Sequence, residues 1–239
     1  MNDVTIGADP SNPLLVHVHT PKAGGSTIAG ILESIYRERL LVAHPLGDWP
    51  QQWPEEFIAH VEEKRNYYGA FSGHSAFGIH KLFRRKALYF SSVRDPIERF
   101  ESYYNFVRHW SIHRYHEIAK NMTISEFFRY LHKNNDTELY NLQCLLLCGH
   151  KDFNIAREFI LHNYVIVFSL KYIDDGFKLL GERLGWPSVE IPKLNVTEHK
   201  SKIDELTKEE FNTLYEGNSA DRDLVKFCED HMEALIKRN

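Results

Sequence analysis

Cysteine is scarce in this chain of 239 residues, which has three: Cys144, Cys148 and Cys228. An odd, low count excludes a disulfide-stapled scaffold and is consistent with a reducing compartment. Cys144 and Cys148 lie four apart in a helical pattern, a conceivable metal pair, but the better reading is buried small hydrophobes. Long apolar runs are missing as well. Nothing approaches the roughly 20 apolar residues of a membrane span, and the polar opening MNDVTIGADPSNP lacks a signal-peptide core. As given, the sequence is expected to be cytoplasmic, or lumenal if trimmed from a longer membrane-anchored parent. Positive net charge is also absent. A formal charge of −4 excludes binding of nucleic acid or anionic membrane by bulk electrostatics, so any anionic ligand must meet a local cluster of Lys and Arg. Internal repeats and low-complexity linkers are lacking, which leaves one domain, 1–239, as the expected organisation.

What is present reads as alternating strands and helices. Residues 14–19, LLVHVH, form a β-rich run that passes through a glycine turn into residues 26–40, where Ile28, Ile31, Leu32, Ile35 and Tyr36 make a helical stripe. Residues 44–54 are rich in Trp and Pro and read as irregular, with Pro54 opening a helix to 65. Strands are predicted at 67–72, 87–93 and 164–170, and helices at 96–109, 139–148 and 174–184. Capping boxes at Thr123/Glu126 and Thr207/Glu210 start two further helices, the second leading into a helical C-terminal part. This order implies an α/β fold in three layers, P-loop-like, with a mostly parallel central sheet flanked by helices.

Two segments carry the chemistry. In Lys22-Ala23-Gly24-Gly25-Ser26-Thr27 a glycine pair sits between strand and helix, so backbone N–H groups converge on one point at a helix N-terminus. Ser26 and Thr27 add hydroxyl donors and Lys22 a full charge. These are the parts of a phosphate cradle. The lysine precedes the glycines, whereas a Walker A loop places it after them, which disfavours an ATP or GTP kinase. The second segment follows the strand at 87–93. Arg94, with Ser102 eight residues on, suits a separate phosphate. Two separated phosphate sites fit 3′-phosphoadenosine 5′-phosphosulfate (PAPS) better than ATP.

VHTPKAGGST followed by SSVRDPIERFESYY resembles the paired donor-binding signature of the PAPS-dependent sulfotransferases, in the carbohydrate branch related to the heparan sulfate 2-O- and 6-O-enzymes. The resemblance implies transfer of a sulfuryl group to a hydroxyl acceptor, a saccharide or other glycan, with PAP as the second product. It implies that Ala23 to Thr27 hold the 5′-phosphosulfate and that Arg94 and Ser102 bind the 3′-phosphate. In LNVTEHK, which resembles a donor-covering loop, Thr197 and Lys200 would close over the nucleotide. Ala23 stands where Thr is frequent in that branch, so one hydroxyl contact is given up.

Sulfuryl transfer needs a cation at the developing charge and a base for the acceptor hydroxyl. Lys22 fits the first role. His74, in SGHSAFG, fits the second, and it aligns with a G-H-x-x-F histidine taken as base in the 2-O branch. His80, Glu33 and Glu98 are its competitors. Histidines 109, 113 and 116, with Arg108 and Arg114, could line an anionic acceptor groove or simply solvate a helix end. His17 and His19 form H-x-H on one strand face, but a third metal ligand is not evident, and transfer of this kind requires no metal. The alternatives are a P-loop-type kinase, for which Asp95 is the one evident acidic metal ligand, and a non-catalytic nucleotide-binding module.

Overall fold

The computed structural model describes residues 12–44, 53–186 and 202–238. Its centre is a sheet of five strands: β1 (Leu14–Val18), β2 (Leu40–Val42), β3 (Ala70–Gly73), β4 (Ala87–Val93) and β5 (Tyr164–Ser169). All neighbouring pairs are parallel, in the order β2-β3-β1-β4-β5. The helices among the described residues are α1 (Gly25–Tyr36), α2 (Glu55–Lys64), α3 (His80–Phe83), α4 (Pro96–His109), α5 (His116–Ala119) and α6 (Ile124–Lys133). They continue with α7 (Leu142–Cys148), α8 (Phe153–Asn163), α9 (Ile173–Leu184), α10 (Lys208–Gly217) and α11 (Ser219–Ile236). None is long and apolar enough to cross a membrane.

A parallel sheet covered on both faces needs strands that are apolar on both. β1 meets this requirement: Leu14, Val16 and Val18 pack into a core with Phe71, Tyr89, Val93 and Leu224, while Leu15 joins Ile28, Phe90, Phe168 and Phe177 on the other side. These two layers are the expected three-layer fold. A third cluster, built from Phe100, Tyr103, Tyr104, Val107, Phe127 and Leu214, fastens α4 to α6 and α10.

The helix predicted over 26–40 ends earlier, at Tyr36. Arg37 takes a left-handed φ of 50°, and a single 3₁₀ turn leads into the three-residue β2. So short a strand has no alternation to read, and propensity alone favours helix there. Pro54 is the N-cap of α2 rather than its first residue. α8 is an amphipathic helix with Ala156 and Ile160 buried, capped by the Asp152 carboxylate.

The chain leaves β1 through α1 toward β2, at one edge of the sheet. It leaves β4 through α4 toward β5, at the other. β1 and β4 are hydrogen-bonded neighbours, so their carboxyl ends flank a topological switch point, the place where open α/β sheets bind ligands. Lys22 follows the first of these strands and Arg94 the second.

Candidate active site

The turn after β1 is held in place from β4. Ser91 Oγ donates to the Val18 carbonyl at 2.6 Å, and Ser92 Oγ donates to the Ala23 carbonyl at 2.5 Å. Both serines are buried. They belong to the SSV that precedes Arg94. With the loop pinned, Lys22 adopts a left-handed φ of 66°, a strained conformation of the kind that collects at functional sites.

Gly24 is the N-cap of α1, at φ 86°, and has no side chain to satisfy the first-turn amides. By contrast α4, α6, α8 and α10 are capped by Asp95, Thr123, Asp152 and Thr207. The amides of Gly25, Ser26 and Thr27 therefore have the helix macrodipole behind them and no capping side chain in front. The Ala23 N–H is bonded to the Thr20 carbonyl at 3.2 Å, so Ala23 shapes the cradle rather than donating to it.

The second glycine has a different reason. A Cβ at Gly25 would lie 1.6 Å from Nε2 of His19. The imidazole lies where any side chain at 25 would go, and it is backed by His17, whose ring stacks on it at 5.5 Å. Gly25→Ala is expected to destabilise the fold by about 2 kcal/mol through overpacking, a drop of about 4–8 °C in Tm for a chain of this size. Thermal unfolding checks this, and an unchanged Tm would mean that His19 does not sit there.

Arg94 is held by its backbone. Gln143, fully buried at the start of α7, accepts from the Arg94 N–H and donates to the Arg94 carbonyl, both at 2.8 Å. Asp221 in turn accepts from the N–H groups of Gln143 and Cys144 at 3.0 and 2.9 Å. The side chain bonds Glu98 through Nε at 3.1 Å, and Nη1 reaches the Lys22 carbonyl at 3.5 Å. The two cationic motifs thus meet. Burial first, and the Arg94 guanidinium second, pull the Lys22 ammonium below its ordinary pKa. Its Nζ stands 4.0 Å over the Phe106 ring. Ser102 is half-buried on α4, two turns beyond Arg94. Thr197 and Lys200 lie outside the described residues.

His74 comes directly after β3. Burial, then His19, His44 and Lys22, hold its pKa down to about 2, and His19 is likewise held at about 2. Both rings are neutral at neutral pH, with a lone pair available. His19 meets His74 edge-on, with centroids 4.2 Å apart, and His44 tilts against His74 at 4.4 Å. The H-x-H of β1 therefore has further imidazole neighbours, from the ends of two other strands; 25 and 55 residues of separation hid them from the sequence.

The competitors of His74 are occupied or remote. His80 Nδ1 pairs with the Tyr89 hydroxyl at 2.7 Å, Glu98 pairs with Arg94, and Glu33 is exposed on α1. Asp95 is the N-cap of α4 and accepts from the N–H groups of Ile97 and Glu98 through Oδ1. Around the end of α4 the His109 ring bonds the Asn105 carbonyl, the His116 ring the Val107 carbonyl, and Arg114 pairs with Asp136. The His113 ring accepts from the Tyr115 N–H, and Arg108 reaches the Lys120 carbonyl.

A glycine loop with an uncapped helix start after β1, an arginine after the neighbouring β4 and a neutral imidazole after β3 lie at one edge of a parallel α/β sheet. The chain belongs to the sulfotransferase family, whose model matches residues 8–235. Heparan sulfate 2-O-sulfotransferase hst-2 of Caenorhabditis elegans is 22% identical over an alignment of 206 positions, which takes in 71% of this chain. The alignment spans 60% of that relative's length. Among solved structures, mouse sulfotransferase SULT7A1 complexed with PAP shares the fold at a TM-score of 0.52 and 14% identity, over 95% of this chain and 94% of that one.

Proposed function

We propose that the chain transfers a sulfuryl group from PAPS to a hydroxyl of a saccharide. The observation that carries this reading is the meeting of Lys22 and Arg94, at 3.5 Å between guanidinium and loop carbonyl, in front of the uncapped start of α1. Two cationic side chains beside a helix N-terminus that no side chain caps suit an anion with more than one charged group. The 5′-phosphosulfate would lie on the amides of 24–27 with the Ser26 and Thr27 hydroxyls, and the 3′-phosphate on Arg94 and Ser102. Thr197 and Lys200 would cover the nucleotide.

In the reaction the acceptor oxygen bonds to sulfur as the bond from sulfur to the bridging phosphate oxygen breaks, giving a sulfate ester and PAP. His74 takes the hydroxyl proton. Lys22 meets the charge that builds on the bridging oxygen. Burial first, then His19, His44 and Lys22, depress the basicity of His74, and a bound anion would offset the Lys22 contribution. The saccharide acceptor in this reading is supported by the relative named as a heparan sulfate 2-O-sulfotransferase.

Calorimetry with PAP, followed by transfer of labelled sulfate from PAPS to a panel of polysaccharides, tests the reading. One molecule of PAP bound per chain and label in a saccharide are expected. No interaction with PAP would sink the proposal, and binding without transfer to any hydroxyl compound would make the chain a nucleotide-binding module.

A further inference from the structure

Parallel pairing places β2, β3 and β1 side by side, with Val42 opposite Ser72 and Val18 opposite Gly73. Extended by one or two residues, that register lines up His44, His74 and His19 in a single row across the carboxyl edge of the sheet. The backbone continues to support the row, through the Ala43 N–H on the Ser72 carbonyl at 3.1 Å and the His19 N–H on the Gly73 carbonyl at 2.8 Å. The three rings turn to the same side, and one ring nitrogen from each lies within 4.8 Å of the other two. We propose that His19, His44 and His74 form a site for a divalent transition ion of the zinc type, with its fourth position open.

Three imidazoles with no carboxylate select borderline ions such as Zn²⁺ over Mg²⁺ or Ca²⁺, which require oxygen ligands. Three nitrogens on one tetrahedral Zn²⁺, at about 2.0–2.1 Å from the ion, stand on the order of 3.4 Å apart. Nitrogens within 4.8 Å of one another therefore have to draw closer for all three to bind one ion. The positions sit at strand ends in fixed register, the kind of support a precise site requires. The His74 N–H donates to His44 Nδ1 at 3.4 Å, a long bond that an ion at that nitrogen would replace. His17, behind His19, is buried with its Nδ1 on Ser72 Oγ at 2.8 Å, and it braces the His19 ring from the far side. Neutral imidazoles bind the ion without giving up protons. The Lys22 charge acts on His19 and His74 and opposes a second cation there.

An ion in this row takes the His74 lone pair that sulfuryl transfer would use, and so stops turnover; that consequence rests on the transferase reading, and the site itself does not. The full chain, stripped with a chelator and titrated with Zn²⁺ against a chromogenic competitor, is expected to take up a single ion. Co²⁺ in its place should give the intense visible bands of a four-coordinate ion. His44→Ala, which removes an exposed ring, should weaken zinc uptake on the order of 100-fold, and His162→Ala, an exposed histidine on α8, should leave it unchanged. Equal uptake by His44→Ala, or the weak bands of six-coordinate Co²⁺ alone, overturns the site. The two readings separate in chelator. Absent PAPS turnover with intact zinc uptake removes the transferase and keeps the site, whereas intact turnover with no zinc uptake removes the site alone. Where both hold, one equivalent of zinc halts the unmodified chain and leaves His44→Ala at its own metal-free rate.

Discussion

Replacing Arg94 by alanine is expected to weaken PAP binding about 100-fold, equivalent to about 3 kcal/mol. Much of that loss comes from what remains behind. The cradle still presents Lys22 and the α1 amides, but the second phosphate loses the guanidinium fork and faces Glu98 alone. The Arg94 backbone is clamped at both its N–H and its carbonyl by Gln143, so the truncation leaves the strand end intact and the measured change reports the side chain. Arg94→Lys restores the charge without the planar fork and should recover only part of the affinity. Calorimetry at a single salt concentration makes the comparison. An alanine variant that binds PAP as tightly as the parent would detach Arg94 from the donor, and with it the two-phosphate reading of the site.

The parts of this arrangement that were legible in the sequence are those carried by short-range pattern. Strand β4 is seven residues, the last five of them buried, and the Asp95-Pro96 start of α4 and both capping boxes have local chemistry that requires them. Lys22 and Arg94 were visible because turn and motif residues lie beside the strands that deliver them. Their meeting was not, since Lys22 and Arg94 are 72 residues apart. Gly25 was read as a turn glycine, although its reason is the His19 ring, and no local feature of AGGS points there. Gln143 and Asp221 look like ordinary helix residues until the strand end they support is known. The row of histidines depends on the pairing of β2 with β3, and β2, at three residues, is too short to be seen in the sequence. Sequence thus reveals groups that act alone at strand ends, while groups that act through register become visible only once the sheet is assembled.

His74→Ala should reduce turnover by a factor of about 10²–10⁴ while PAP affinity stays within a few-fold of the parent. The split between the two readouts is what identifies the role. A base contributes in the transition state, when the hydroxyl proton leaves, and adds little to binding of a donor that has no proton to give. The arrangement favours His74 over the adjacent His19 for this role. His19 lies between the stacked His17 ring and Gly25, where its Nε2 is in contact with α1. His74, at the end of β3, faces His44 at the open edge of the row. Measuring the variant in chelator keeps the outcome independent of any metal. A structural histidine would behave otherwise: its loss would lower Tm and PAP affinity together, and turnover would follow the folded fraction. His74→Ala with parental turnover would shift the base to another group, whereas lost turnover with intact donor binding and an unchanged Tm leaves an imidazole at the acceptor oxygen as the remaining account.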